Sequence, residues 1–160
     1  MTDPILATPL LEPVAELTVT VGAPVEAGAV TGAETRGQRR IIPITGGSVR
    51  GRLHGRVLAG GADFQIIVSP MMAVLDARYV LALDSGEHVY VQNHALRRGP
   101  AEAIARLARG EPVDPAAIYF RCVPRFEVSS PALSWLTESI FMGTGARFPD
   151  RVELALFRVS

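Results

Sequence analysis

The sequence predicts an all-β, mainly antiparallel chain: a single antiparallel β-barrel with one short helix, preferred over a sandwich. Three observations lead there. Apolar and polar residues alternate with a period of two in segment after segment, which is the pattern of half-buried strands. Glycine pairs, Gly46-Gly47 and Gly60-Gly61, stand beside β-branched runs such as Ile41, Ile42 and Ile44, where they are expected to serve as turns. Only one stretch, after Pro100, carries a helical period. Many strands joined by short turns do not make a βαβ fold, and closure into a barrel removes the exposed edges that an open sheet would leave.

The elements follow in order. Residues 1–11 hold two prolines and no alternation, so they read as a loose tail. From Val14 the chain alternates, with Ala15, Leu17, Val19 and Val21 on one face and Glu16, Thr18 and Thr20 on the other. Residues 22–37 are small, glycine-rich and weakly patterned, and are expected to form a loop: a lid over a pocket or a surface excursion. Strands are expected over 39–45, 51–58, 62–68, 74–83 and 88–94, the last two joined as a hairpin around Asp84-Ser85-Gly86-Glu87. Pro100 opens a helix with Ile104, Leu107 and Ala108 on one side and Gly110 just past its end. An extended run over 117–128 precedes a turn or short helix from Ser130-Pro131 that carries Trp135 and Leu136. Strands near 138–143 and 151–159 close the chain.

At 160 residues the chain reads as one domain over 1–160, long enough to bury about 70% of its unfolded surface. Its 48% hydrophobic content and zero formal net charge describe a compact globule and argue against disorder. All 16 basic residues are arginine, which points to GC-rich coding before it points to function. A neutral chain has no overall field for phosphate backbones, so nucleic acid is not an expected partner. No apolar window reaches membrane-spanning length and the first residues lack a basic secretory start, so the expected location is the cytoplasm, with no membrane partner. Cys122 is the lone cysteine and reads as a small buried hydrophobe.

Certain phrases recur in order along the chain: Arg39-Arg40-Ile41-Ile42-Pro43-Ile44-Thr45-Gly46-Gly47, then Gly60-Gly61-Ala62-Asp63-Phe64-Gln65 and Ala77-Arg78-Tyr79. Val89-Tyr90-Val91-Gln92-Asn93, Tyr119-Phe120-Arg121, Pro124-Arg125-Phe126-Glu127, Trp135-Leu136 and Gly143-Thr144-Gly145 follow. Together they resemble a family of small bacterial and fungal barrels known as domain of unknown function 3237, over about Val14 to Val159. The resemblance implies an antiparallel barrel with a central cavity and no assigned activity. Phe64 stands where that family usually has tryptophan, and Ala95-Leu96 stand where a glycine-containing turn is common.

Candidate chemistry is drawn from charged and aromatic residues on strand faces. Asp63 and Gln65 share a face; an inward Asp63 among apolar walls can move protons, and the alternative is that Asp63 caps the Gly60-Gly61 turn by bonding backbone amides. Tyr79 shares a face with Leu75, Ala77 and Leu81, either as plain core or as a hydrogen-bond donor to a carbonyl or enolate. Asn93, among Val89 and Val91, needs partners from a turn or a ligand. Arg121, Arg125 and Glu127 lie on one parity of their run, with Phe120, Cys122 and Phe126 on the other. An interior Arg121 would pair with Glu127 or Asp63, or would grip a carboxylate. The expected catalytic set is therefore Asp63, Tyr79, Arg121 and Glu127. The expected ligand-binding set is Arg40, Gln65, Tyr90, Asn93, Arg125 and Trp135.

His88 and His94 share a strand face about 20 Å apart, and His54 stands alone, so no metal site and no cofactor are expected. The glycine phrases lack the strand-to-helix setting of a nucleotide loop. Three functions fit: a cofactor-free lyase, isomerase or cyclase on a small, partly apolar molecule; a carrier or sensor of a hydrophobic ligand; or a structural barrel filled by side chains. The first is preferred because Asp, Arg, Glu and Tyr recur on strand faces. The expected partners are a small-molecule ligand and, as a homodimer, a second copy of the chain.

Overall fold

The alternating segments fold into antiparallel strands. In the computed structural model, which describes residues 6–160, these are β1 (Leu11–Val21), β2 (Val25–Thr31), β3 (Arg36–Gly51), β4 (Gly55–Val57), β5 (Ala62–Ser69), β6 (Met72–Leu83) and β7 (His88–Arg98). Helix α1 (Ala101–Ala108) and strands β8 (Tyr119–Val128), β9 (Ile140–Arg147) and β10 (Arg151–Val159) complete the chain. The strand order runs β1-β10-β9-β8-β7-β6, then β4 and β5 in succession at one position, each paired to β6 and β3, then β3, which pairs back to β1. The result is a closed eight-strand antiparallel barrel with one short helix, as expected. Residues 1–5 of the expected tail lie outside the described residues, and β1 begins at Leu11.

The long strand β3 explains how ten strands make eight positions. Its first half pairs with β2 on one side and β5 on the other; its second half pairs with β1 and β4. The change of partners falls near Gly46-Gly47, which lie within the strand and not at a turn as expected. Gly47 holds φ +140°, and a Cβ there would collide with the carbonyl oxygen of Thr18 on β1. The pair lets two strands approach where the wall bends. The 51–58 segment accordingly breaks at Arg52–His54, leaving Gly51 as the end of β3 and Gly55–Val57 as a strand of its own.

Residues 22–37 also depart from expectation. They form most of a β2–β3 hairpin, not a loop. Strand β2 is held by its backbone ladder to β3 and leaves Val25 half exposed, so its side chains never had to alternate. Only Val21, Gly22 and Pro24 reach the barrel mouth.

The barrel has two unlike ends. At one, a 3₁₀ turn over Pro131–Leu136 plugs the interior with buried Leu133 and Leu136, opened by Ser130, whose hydroxyl accepts from the Ala132 amide at 3.2 Å. Phe126 and Phe141 meet edge to face beneath it with centroids 5.2 Å apart. Leu17, Leu81, Val89, Val91 and Leu156 fill the layers between, each worth about 1.5–3 kcal/mol by burial. At the other end α1 covers the opening, entered from Pro100 and closed by Gly110 at φ +75°, whose amide donates to Leu107. Among the described residues no helix is long and apolar enough to cross a membrane.

Candidate functional site

Inward side chains stop filling the barrel above Tyr79 and Phe120, leaving a cavity of about 270 Å³ under the end of α1. Val19, Ile42, Ile44, Leu75 and Leu154 form apolar walls, and Leu107–Gly110 reach over it. Among the described residues the buried polar or charged side chains are Gln65, Asn93 and Arg97, and all three line this cavity. Asp63, Tyr79, Arg40 and Arg147 join them. Polar groups kept out of water need partners, so their gathering in one space marks it as a site.

Register places them. Ile42 of β3 faces Asp63 of β5, Asp63 faces Ala77 of β6, and Ala77 faces Asn93 of β7, so Asp63 and Asn93 flank Ala77 in one layer. The next layer toward the mouth sets Arg40 opposite Gln65. Between Asp63–Ala77 and Ile66–Val74 the β5–β6 ladder keeps its register, but Phe64 and Gln65 have no partners on β6. The Asp63 carboxylate fills that gap: Oδ1 accepts from the Asp76 amide at 3.1 Å, and Oδ2 accepts from Gln65 Nε2 at 2.7 Å. It therefore supports the sheet opening beside the cavity, not the Gly60-Gly61 turn.

Burial raises the Asp63 carboxyl above its ordinary range, outweighing the Gln65 hydrogen bond and the attraction of Arg97. Burial likewise pushes the Tyr79 phenol up, with smaller contributions from Cys122 and Asp63, and its hydroxyl has no hydrogen-bond partner. The side-chain oxygens of Gln65 and Asn93 are also unpartnered. Arg97, 3% exposed, is lowered to about 10 by burial and by the neighbouring charges of Arg147 and Arg40, against the pull of Asp63. It remains a cation at neutral pH. Arg147 is lowered by the same two causes, burial first and then Arg40. Arg40 Nε sits 3.1 Å from Glu26 Oε1, an ion-pair distance without hydrogen-bond alignment, at the half-exposed rim.

The structure thus brings together Asp63, Tyr79, Arg40, Gln65 and Asn93 of the expected set. It separates the others. Arg121, Arg125 and Glu127 point outward from β8, because the opposite parity carries Phe120, Cys122 and Phe126, whose burial is favourable where that of three charges is not. Arg121 lies exposed, with Nη1 donating to the Phe120 carbonyl at 2.9 Å and its guanidinium 5.2 Å from the Tyr119 ring; among the described residues it has no acidic partner. The expected Arg121–Glu127 pair inside the barrel does not exist. Tyr90 faces outward from β7 beside Arg78. Trp135 belongs to the plug at the far end, 6.0 Å from Phe141 and beneath Arg52 at 3.7 Å. Cys122 is buried with its thiol pushed up by desolvation, as befits a core residue.

Sequence reading missed Arg97 and Arg147. The signal was strand parity: β7 places residues 89, 91, 93, 95 and 97 inward, and β9 does the same for 141, 143, 145 and 147. Ending those strands at 94 and 143 hid both arginines.

Fold and cavity together define a small closed antiparallel barrel with a polar pocket at one end. The chain belongs to the family described as Protein of unknown function (DUF3237), whose model matches residues 9–159. It is 45% identical over 155 residues to a UPF0311 protein of Rhodopseudomonas palustris, covering 95% of this chain and 99% of that one. The crystal structure of a conserved protein of unknown function from the same organism superimposes with TM-score 0.89 at 43% identity, over 98% of this chain and 100% of the other. A beta-barrel like protein from Acinetobacter baumannii gives TM-score 0.82 at 39% identity over the whole of both chains. An enzyme from Penicillium herquei shares the fold at TM-score 0.67 and 16% identity, over 99% and 100% of the two chains.

Proposed function

We propose that the cavity binds a small, partly apolar carbonyl compound and moves a proton on it, as a lyase, isomerase or cyclase. One observation carries this reading: a desolvated carboxyl, Asp63, and a buried, unpartnered hydroxyl, Tyr79, face the same apolar-walled space. In its ionised form Asp63 takes a proton from the carbon beside the carbonyl, and its raised pKa suits that exchange. Gln65 fixes the carboxylate by the bond to Oδ2. Tyr79 donates to the carbonyl oxygen as it gains enolate charge, and its high pKa keeps the proton on the phenol. Returning the proton at another carbon isomerises the compound; loss of a β-substituent makes the reaction an elimination, and capture of a second group within the molecule makes it a cyclisation.

The apolar walls favour a second reading, carriage of a ligand without reaction. Solvent-deuterium uptake separates the two. Phenylacetone and phenylpyruvate, incubated with the protein in D₂O and followed by proton NMR, should exchange their benzylic hydrogens faster than in buffer. Asp63→Asn should lose about 10²–10⁴ of that acceleration, and Tyr79→Phe about 10²–10³. No acceleration by the native protein, or equal acceleration by Asp63→Asn, would overturn the catalytic reading.

A further inference from the structure

We infer that the ligand of this cavity is an organic anion, whose single acid group is held by Arg97 and Arg147 while its apolar body lies toward Asp63 and Tyr79. This deepens the reading above and rests on the same cavity being the ligand site.

Arg40, Arg97, Arg109 and Arg147 line the cavity, Arg109 with Glu111 as its counter-ion, and Asp63 is the one carboxylate among the lining residues. Arg40 has a counter-ion in Glu26 at the rim. Arg97 and Arg147 have none: among the described residues neither takes part in an ion pair or a side-chain hydrogen bond. Asp63 attracts both from a distance but forms an ion pair with neither, and its hydrogen bonds go to Gln65 and the Asp76 amide. With the Arg109–Glu111 pair set aside, Arg40, Arg97 and Arg147 against Asp63 and Glu26 leave one positive charge in surplus even with both carboxylates ionised. A buried cation without a partner is costly, and the two arginines further disfavour each other. Such an arrangement is stable in use when a ligand brings the missing negative charge, and planar guanidinium groups suit a carboxylate or a similar acid group in bidentate contact.

Position agrees with charge. Arg40, Arg97 and Arg147 also border a second recess of about 230 Å³ beneath Ala101, Ile104 and Ala105 of α1. The arginines therefore stand at the boundary between the deep apolar cavity and the space under the helix. A ligand entering from the mouth meets them before its far end reaches Asp63 and Tyr79.

Benzoate and benzamide test the inference, being nearly equal in shape and different in charge. Titration calorimetry at pH 7 should show benzoate binding at least tenfold more tightly than benzamide. Arg97→Met and Arg147→Met should each weaken benzoate tenfold or more and leave benzamide within about twofold, with thermal melts showing both variants folded. Arg121→Met, on the outer wall, should change neither. Asp63→Asn should not weaken benzoate, since it removes a like charge. Equal binding of the two probes, no binding of benzoate, or full benzoate affinity in folded Arg97→Met and Arg147→Met would overturn the anion site. Benzoate selectivity without deuterium exchange would uphold the anion site and sink the catalytic reading; exchange of phenylacetone without benzoate selectivity would do the reverse.

Discussion

Asp63 is a carboxyl group placed where ionisation is expensive, and its neighbours only partly offset that cost. Stability should therefore depend on pH in a defined direction. A carboxyl whose folded pKa lies above its ordinary 3.8 binds more protons folded than unfolded, so its contribution to stability falls as pH rises through the raised value. Asp63→Asn removes that loss while keeping an acceptor for the Asp76 amide. It should be more stable than the native protein at neutral pH, with the difference vanishing below pH 3.8; urea unfolding at several pH values checks this. Arg121 gives the opposite case. Exposed and without an acidic partner, it should tolerate Arg121→Leu with a change of about 0.5 kcal/mol or less in the same assay. A loss of several kcal/mol would restore the interior ion pair that the structure denies.

At the scale of elements, parity was readable and facing was not. The run 119–128 divides into the two faces the sequence showed, yet charge on one face suggested a site there. The aromatic and cysteine face gains more from burial, so the charged face went outward. Strand ends were the other difficulty: extending β7 by two steps of its own alternation leads to Arg97, the least exposed charge described. Strand β2 was unreadable because a backbone ladder, not buried side chains, holds it. Gly46-Gly47 looked like a turn because glycine marks both reversals and close approaches. Here close approach decides, so Gly47→Ala should destabilise by about 2–4 kcal/mol, through collision with Thr18 and an unfavourable φ, whereas Gly86→Ala at an open hairpin turn should cost less. Thermal melts of the pair make the comparison.

For the whole molecule, the barrel's two ends divide the work. The Pro131–Leu136 plug and the Phe126–Phe141 contact make one end solid, which lets the other end remain hollow. Alternation left a sandwich possible, since it assigns the faces of strands and not their edges; the removal of exposed edges and the family resemblance favoured closure. Alternation did not say which end would be filled, since that depends on whether 3₁₀ turn or helix covers each opening. The cavity's polar lining was half visible for the same reason: Asp63, Gln65, Tyr79 and Asn93 share faces with apolar residues on their own strands, whereas their convergence with Arg40, Arg97 and Arg147 depends on closure across β3, β5, β6, β7 and β9.

Closure of the barrel sets a desolvated carboxyl beside cations that have no ion-pair partner of their own. Carbon-13 NMR of the Asp63 side-chain carboxyl, titrated in the native protein and in Arg97→Met, tests it without any ligand. The midpoint should lie above 3.8 in the native protein and higher still in Arg97→Met, because the attraction of Arg97 is lost while burial remains. A midpoint at or below 3.8, or one unmoved by Arg97→Met, would contradict it.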